Sequence, residues 1–187
     1  MQQLFTTRYA RDVPPSGVIS LLDAPTEAKV VELLTELRAR FAVHAVADVA
    51  SFPHVSYQIA DEFDGVSAAL ERIAARVAPF TIHTAGLGLF PGPVVFVGVA
   101  RSPALAALHA EVWAASVAIA PHPHYEADRW MPHITLAQHD LPAALVPEIT
   151  SWLSTYDLAW TITIDTLAFA HWNGTRYELH RHPLSGR

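Results

Sequence analysis

The sequence contains no cysteine, which excludes disulfides, thiolate zinc sites and cysteine nucleophiles and fits a reducing compartment. Basic residues are also few: 12 Lys+Arg stand against 18 Asp+Glu, for a formal charge of −6. Long nucleic acids are held by extended basic surfaces, so none is expected here. Any nucleic-acid partner would be small, or only the end of a strand. No run approaches the ~20 apolar residues that span a bilayer. The N-terminal stretch Met1 to Gly17 carries Arg8, Arg11 and Pro14-Pro15 but no apolar segment of the kind a signal peptide needs. A soluble, cytoplasmic protein that acts as a monomer, away from membranes, is the expectation.

What is present in quantity is apolar: 51% of the 187 residues are hydrophobic and 16% charged, enough for a sizeable core without covalent staples. Two stretches stand out, Ser51-Phe52-Pro53-His54-Val55-Ser56-Tyr57 and Trp130-Met131-Pro132-His133-Ile134-Thr135-Leu136. Each reads proline, histidine, an apolar residue, a hydroxyl residue, then a larger apolar or aromatic one. In a β-strand, side chains two apart share a face, roughly 6–7 Å from one another. His54 and Ser56 would face one way and Val55 and Tyr57 the other, and His133 and Thr135 would oppose Ile134 and Leu136 likewise.

Along the chain, Val18 to Leu22 suits a buried strand, and Asp23-Ala24-Pro25 starts a helix over 25–41 with Val30, Leu34, Leu37 and Phe41 at helical spacing. A strand at 54–60, a turn at Asp64-Gly65 and a helix ended by Pro79 follow. Residues 80–90 read as a strand whose apolar phase changes beside Gly86, as a β-bulge would produce. Val94 to Ala100 reads as a central strand. A third helix begins near Ser102-Pro103, with Leu105, Leu108, Val112 and Ile119 inward. A strand at 133–138 precedes a fourth helix opened by Pro142, with Leu145, Ile149, Trp152 and Leu153 inward. Leu158 to Ile164 alternates as a half-buried strand, and Asn173-Gly174 signals a two-residue hairpin.

The order is β-α-β-α-β and then β-α-β-α-β-β. The motif histidines are 79 positions apart and the strand starts at Val18 and Val94 are 76 apart. This is a duplicated pattern. The expected fold is α+β and bilobal: two lobes, about 16–90 and 93–183, related by a pseudo-twofold, with a central cleft between two antiparallel sheets.

Two imidazoles across a cleft suit general acid–base catalysis, one accepting a proton while the other donates. The hydroxyls of Ser56 and Thr135 can donate to an anionic oxygen between them. Such a set fits a phosphate diester. Arg129 and Trp130, just before the second motif, are candidate substrate contacts, since arginine meets phosphates and tryptophan stacks bases. His122 and His124, with His109 and His139 nearby in sequence, lack a recognised ligand spacing, so no metal and no cofactor is expected.

Pro53-His54-Val55-Ser56 and Pro132-His133-Ile134-Thr135 resemble the paired His-x-Thr/Ser motifs of the two-histidine phosphoesterase superfamily, and within it the chain is most similar to the 2'-5' RNA ligase-like (LigT-like) proteins. The resemblance covers roughly residues 16–183 and includes Tyr125 to Ala137 and Leu87-Gly88-Leu89-Phe90-Pro91. It implies metal-independent hydrolysis of 2',3'-cyclic phosphate or 2'-5' phosphodiester bonds in RNA ends or small nucleotides, with reversal to 2'-5' ligation open to the same site. His54 and His133 would be catalytic, and Ser56 and Thr135 would hold phosphate oxygens. Tyr57 stands where many members have an aliphatic residue, and Gln138 where many have arginine. A non-catalytic nucleotide-binding or sensor module using the same cleft is the alternative; turnover separates the two.

Overall fold

The computed structural model describes residues 14–187; Arg8 and Arg11 of the N-terminal stretch lie outside the described residues. Strand β1 (Ser16–Leu21) leads into helix α1 (Ala24–Phe41). Asp23 caps that helix by accepting from the Thr26 N–H at 3.0 Å, and Pro25 sits in the first turn, where no intrahelical donor is needed. Val30, Leu33, Leu34 and Leu37 form its buried stripe. A short helix α2 (Ala45–Val49) precedes β2 (His54–Ala60), β3 (Glu62–Asp64) and α3 (Val66–Ala74). Strands β4 (Phe80–Phe90) and β5 (Val94–Val99) form a hairpin, followed by α4 (Pro103–Ala115) and β6 (Val117–Ile119). Strand β7 (His133–Ala137), helix α5 (Val146–Leu153), β8 (Thr161–Ile164), β9 (Thr166–Trp172) and β10 (Tyr177–Pro183) complete the chain.

The strands form two four-stranded sheets, ordered β10-β9-β1-β2 and β7-β5-β4-β8, and a two-stranded ribbon β3-β6. All pairs are antiparallel. Each motif strand is the edge strand of its sheet and lies beside the first strand of its own half, which is the pseudo-twofold arrangement. The sheets also cross the sequence halves: β9 and β10 complete the sheet of β1 and β2, and β4 completes that of β5 and β7. One core cluster spans both sheets, with Val18, Leu37, Tyr57, Val97, Leu105 and Ile134 all fully or nearly fully buried. No helix among the described residues is long and apolar enough to cross a membrane.

The fault in β4 is where the apolar phase places it. Its register against β5 shifts between Thr84 and Leu87, and Gly86 has φ +86°, a conformation a Cβ would strain. Three local expectations change. Helix α4 stops at Ala115, because the β-branched Val117 and Ile119 extend and pair with β3; Ile119 is therefore exposed and not on an inner helical face. Pro142 opens a 3₁₀ turn (Ala143–Leu145), α5 starts only at Val146, and Trp152 is half-buried against Phe41 and Tyr156. The last hairpin has a four-residue connection, since Trp172 pairs with Tyr177. There the Asn173 side chain accepts from the N–H groups of Thr175 and Arg176, both at 3.0 Å, and so widens the turn.

Candidate active site

The motif strands share an irregularity. Ile19 pairs with Ser56 and Val18 with Gln58, so Tyr57 is an extra residue in β2. Phe96 pairs with Thr135 and Val95 with Ala137, so Leu136 is an extra residue in β7. Each bulge falls directly after the motif hydroxyl. Beyond it the cleft-facing side moves from even to odd offsets from the histidine, which turns Ile59 and Gln138 into the cleft while Gln58 and Ala137 are buried.

Both histidines are aimed in the same way. The Nδ1–H of His54 donates to the Phe52 carbonyl at 2.8 Å, and the Nδ1–H of His133 donates to the Met131 carbonyl at 2.7 Å. A carbonyl can only accept, so each neutral ring carries its proton on Nδ1 and keeps the Nε2 lone pair for chemistry. Each bond spans a proline. Proline fixes its own φ and drives the residue before it to extended backbone, which holds that carbonyl in place and explains Pro53 and Pro132 beside the two histidines.

Burial pushes the His54 imidazole below its ordinary pKa, against the opposing Phe52 bond, and the facing His133 lowers it further. Burial likewise pushes His133 down, opposed by the Met131 carbonyl and reinforced by His124. A proton on His133 therefore hinders protonation of His54.

His54, Ser56, His133 and Thr135 line one cavity of about 420 Å³ between the sheets. Ile19 forms part of its floor, Val46 and Val49 of α2 one rim, and His122 and Tyr125 another. Among the described residues the lining contains no lysine or arginine, so the donors facing a ligand are hydroxyls, imidazoles and the Gln138 amide. The rim helix α2 is held by Asp140, whose carboxylate accepts from the N–H groups of His44 and Ala45 at 2.7 and 2.9 Å.

Four of the six residues singled out in the sequence thus meet in the cavity. The other two do not. Arg129 is exposed, 3.8 Å from the Glu126 carboxylate, and Trp130 is only 4% exposed, with neither among the cavity's lining residues. Tyr57 points into the core, its hydroxyl 2.8 Å from Ser20 Oγ. His180 stacks on Phe169 outside the cavity lining. His122 lines the cavity, yet no group of three or more His, Asp or Glu among the described residues is arranged to hold a metal ion.

Sequence reading missed the aromatic setting of the imidazoles. Phe90 and Phe96, stacked at 4.2 Å, each place a ring centroid 5.0 Å from that of His133, and Phe52 lies 5.4 Å from His54. Gly88 was the available signal. A Cβ there would overlap the Phe96 ring, and a glycine inside a strand marks such a close approach.

Paired edge strands that present His-x-Ser and His-x-Thr to one cleft carry the motif pair of the two-histidine phosphoesterase superfamily. Within that class the chain belongs to the 2'-5' RNA ligase superfamily, whose family model matches residues 24–176. In fold it is similar to TT0787 of Thermus thermophilus, with a TM-score of 0.60 and 18% identity over 92% of this chain and 99% of that one. It is also similar to E. coli LigT in its apo form (TM-score 0.53, 19% identity, 91% and 95% covered). The 3'-AMP complex of LigT gives a TM-score of 0.51 and 21% identity over 92% and 99%. No curated protein sequence matches the chain.

Proposed function

We propose that the protein is a phosphodiesterase that opens 2',3'-cyclic phosphates, or cleaves 2'-5' linkages, in small nucleotides or at RNA ends. The observation that carries this reading is the doubled geometry: two imidazoles with identical Nδ1 anchoring, each with a hydroxyl two residues on, lining one cavity. The neutral imidazole takes a proton from water at Nε2 as the water oxygen bonds to phosphorus. The protonated imidazole gives its Nε2 proton to the departing ribose oxygen, and a phosphomonoester remains. Ser56 and Thr135 donate to the non-bridging oxygens, where negative charge is held through the step. Because acid and base exchange roles in reverse, the same site could join 2'-5' ends, with hydrolysis favoured in water. All four groups come from one chain, so a monomer suffices. That LigT has been solved with 3'-AMP and with phosphate supports a ligand of this chemical class.

The test is turnover of 2',3'-cyclic mononucleotides and cyclic-ended oligonucleotides by purified protein in excess EDTA. The expected result is hydrolysis to a single phosphomonoester. Saturable binding of nucleotide monophosphates with no turnover of any cyclic or 2'-5' substrate would instead make the cleft a binding module.

A further inference from the structure

The cleft chemistry leaves Trp130 without a role. Its indole Nε1–H donates to the Ser56 carbonyl at 2.8 Å. Ser56 belongs to β2, an edge strand whose outward backbone groups have no ladder partner. The indole ring lies flat on His109 of α4, with centroids 4.0 Å apart and planes 15° apart. His109 is itself fixed, donating from Nε2–H to the Tyr125 carbonyl at 2.9 Å, and the Arg101 guanidinium covers the indole at 5.7 Å. The next residue, Met131, supplies the carbonyl that aims His133.

We propose that Trp130 is a positioning residue, a strut that joins the backbone of the first motif to the peptide that orients the second, so that His54 and His133 address the same phosphate. This rests on the two-histidine reading of the cleft. Two edge strands from different sheets have no ladder between them, so beyond the core that Tyr57 and Ile134 share their spacing rests on directed contacts such as this one. An indole suits the task because its N–H is only a donor and its ring is rigid. The stack on His109 and the Arg101 cover prevent it from turning away from Ser56.

The experiment compares wild type with W130F and with a chain carrying benzothienylalanine at position 130, which keeps the bicyclic shape and lacks the N–H. Benzothienylalanine tests the bond even where phenylalanine leaves a cavity that impairs folding. Titration of the His54 and His133 rings is followed by NMR, beside kcat and KM for a 2',3'-cyclic mononucleotide. Both variants are expected to lower kcat on the order of tenfold with KM within about twofold, the pattern of misplaced rather than missing groups. Burial sets both imidazoles low and the His133 charge adds to the lowering of His54; a wider gap between the rings weakens that charge effect, so the two midpoints are expected to move closer together. Unchanged midpoints overturn the strut whatever happens to kcat. Wild-type protein that turns over no cyclic nucleotide, but whose midpoints still converge in the variants, would remove the proposed reaction and keep the strut.

Discussion

Tyr57 and Leu136 hold the same place in their strands: each is the extra residue of a β-bulge three positions after a cleft histidine. The bulges make Ile59 and Gln138 equivalent and turn both toward the cavity. Gln138→Glu therefore adds a negative charge to the wall of the cavity that His133 also lines, where the proposed phosphodiester would bind. KM for a cyclic phosphodiester is expected to rise about fivefold, the cost of a like charge in a partly solvated site. The pH optimum should move up, because a carboxylate favours the imidazolium. Steady-state kinetics across pH check both effects; an unchanged KM would place Gln138 outside the substrate's reach.

The pH dependence of the wild type follows from the two imidazoles. Burial lowers both below the ordinary value of 6.5, so kcat/KM, which reports the free enzyme, is expected to peak on the acid side of that value. Bound phosphodiester is an anion and favours imidazolium, so the kcat profile should peak at higher pH than kcat/KM. Coincident profiles would contradict the placement of phosphate between the rings.

Stability should respond in the same range. His54, His109, His133 and His182 all have folded-state values pushed down, in each case chiefly by burial. Below the unfolded value of 6.5 the unfolded chain then binds more protons than the folded one, so stability rises with pH through this window and is lost as pH falls. Thermal melts are expected to show Tm falling progressively from about pH 7.5 to about pH 5.5, values chosen to bracket the imidazole range. A flat Tm over that interval would mean the buried imidazoles are matched by equal shifts in the unfolded chain.

Gly88→Ala tests the aromatic enclosure of His133. The new Cβ would overlap the Phe96 ring, and Phe96 can move only by shifting against Phe90 and His133. Overpacking of this kind costs about 1–3 kcal/mol, and kcat should fall with it. Denaturant unfolding together with kinetics gives both numbers; wild-type values for each would show the ring free to relocate.

The sequence made some of these features legible and hid others for physical reasons. The motif pair, the strand order and the Gly86 bulge leave local marks: period-two alternation, a glycine at a change of phase, and a repeat of proline before histidine. The bulges at Tyr57 and Leu136 leave none, since neither residue is a glycine and each strand is too short to show a phase change. For Trp130 the sequence leaves a base-stacking contact and a core residue equally open, because a loop position says nothing of which side is covered; its burial comes with His109, which stacks on it from α4. The partnership of Phe90 and Phe96 with His133 needs three strands in register. The exchange of β4, β9 and β10 between the sequence halves is likewise a property of the assembled sheets.

In the proposed mechanism His54 and His133 act as one unit on one phosphodiester. The most direct test of this is kcat/KM for a 2',3'-cyclic mononucleotide, in excess EDTA, with His54→Ala, His133→Ala and the double variant. Each single substitution is expected to cost about 10²–10⁴-fold, and the double variant little more than either, because an acid without its base is nearly as idle as neither. Activity surviving in either single variant, or losses that multiply in the double, would contradict it.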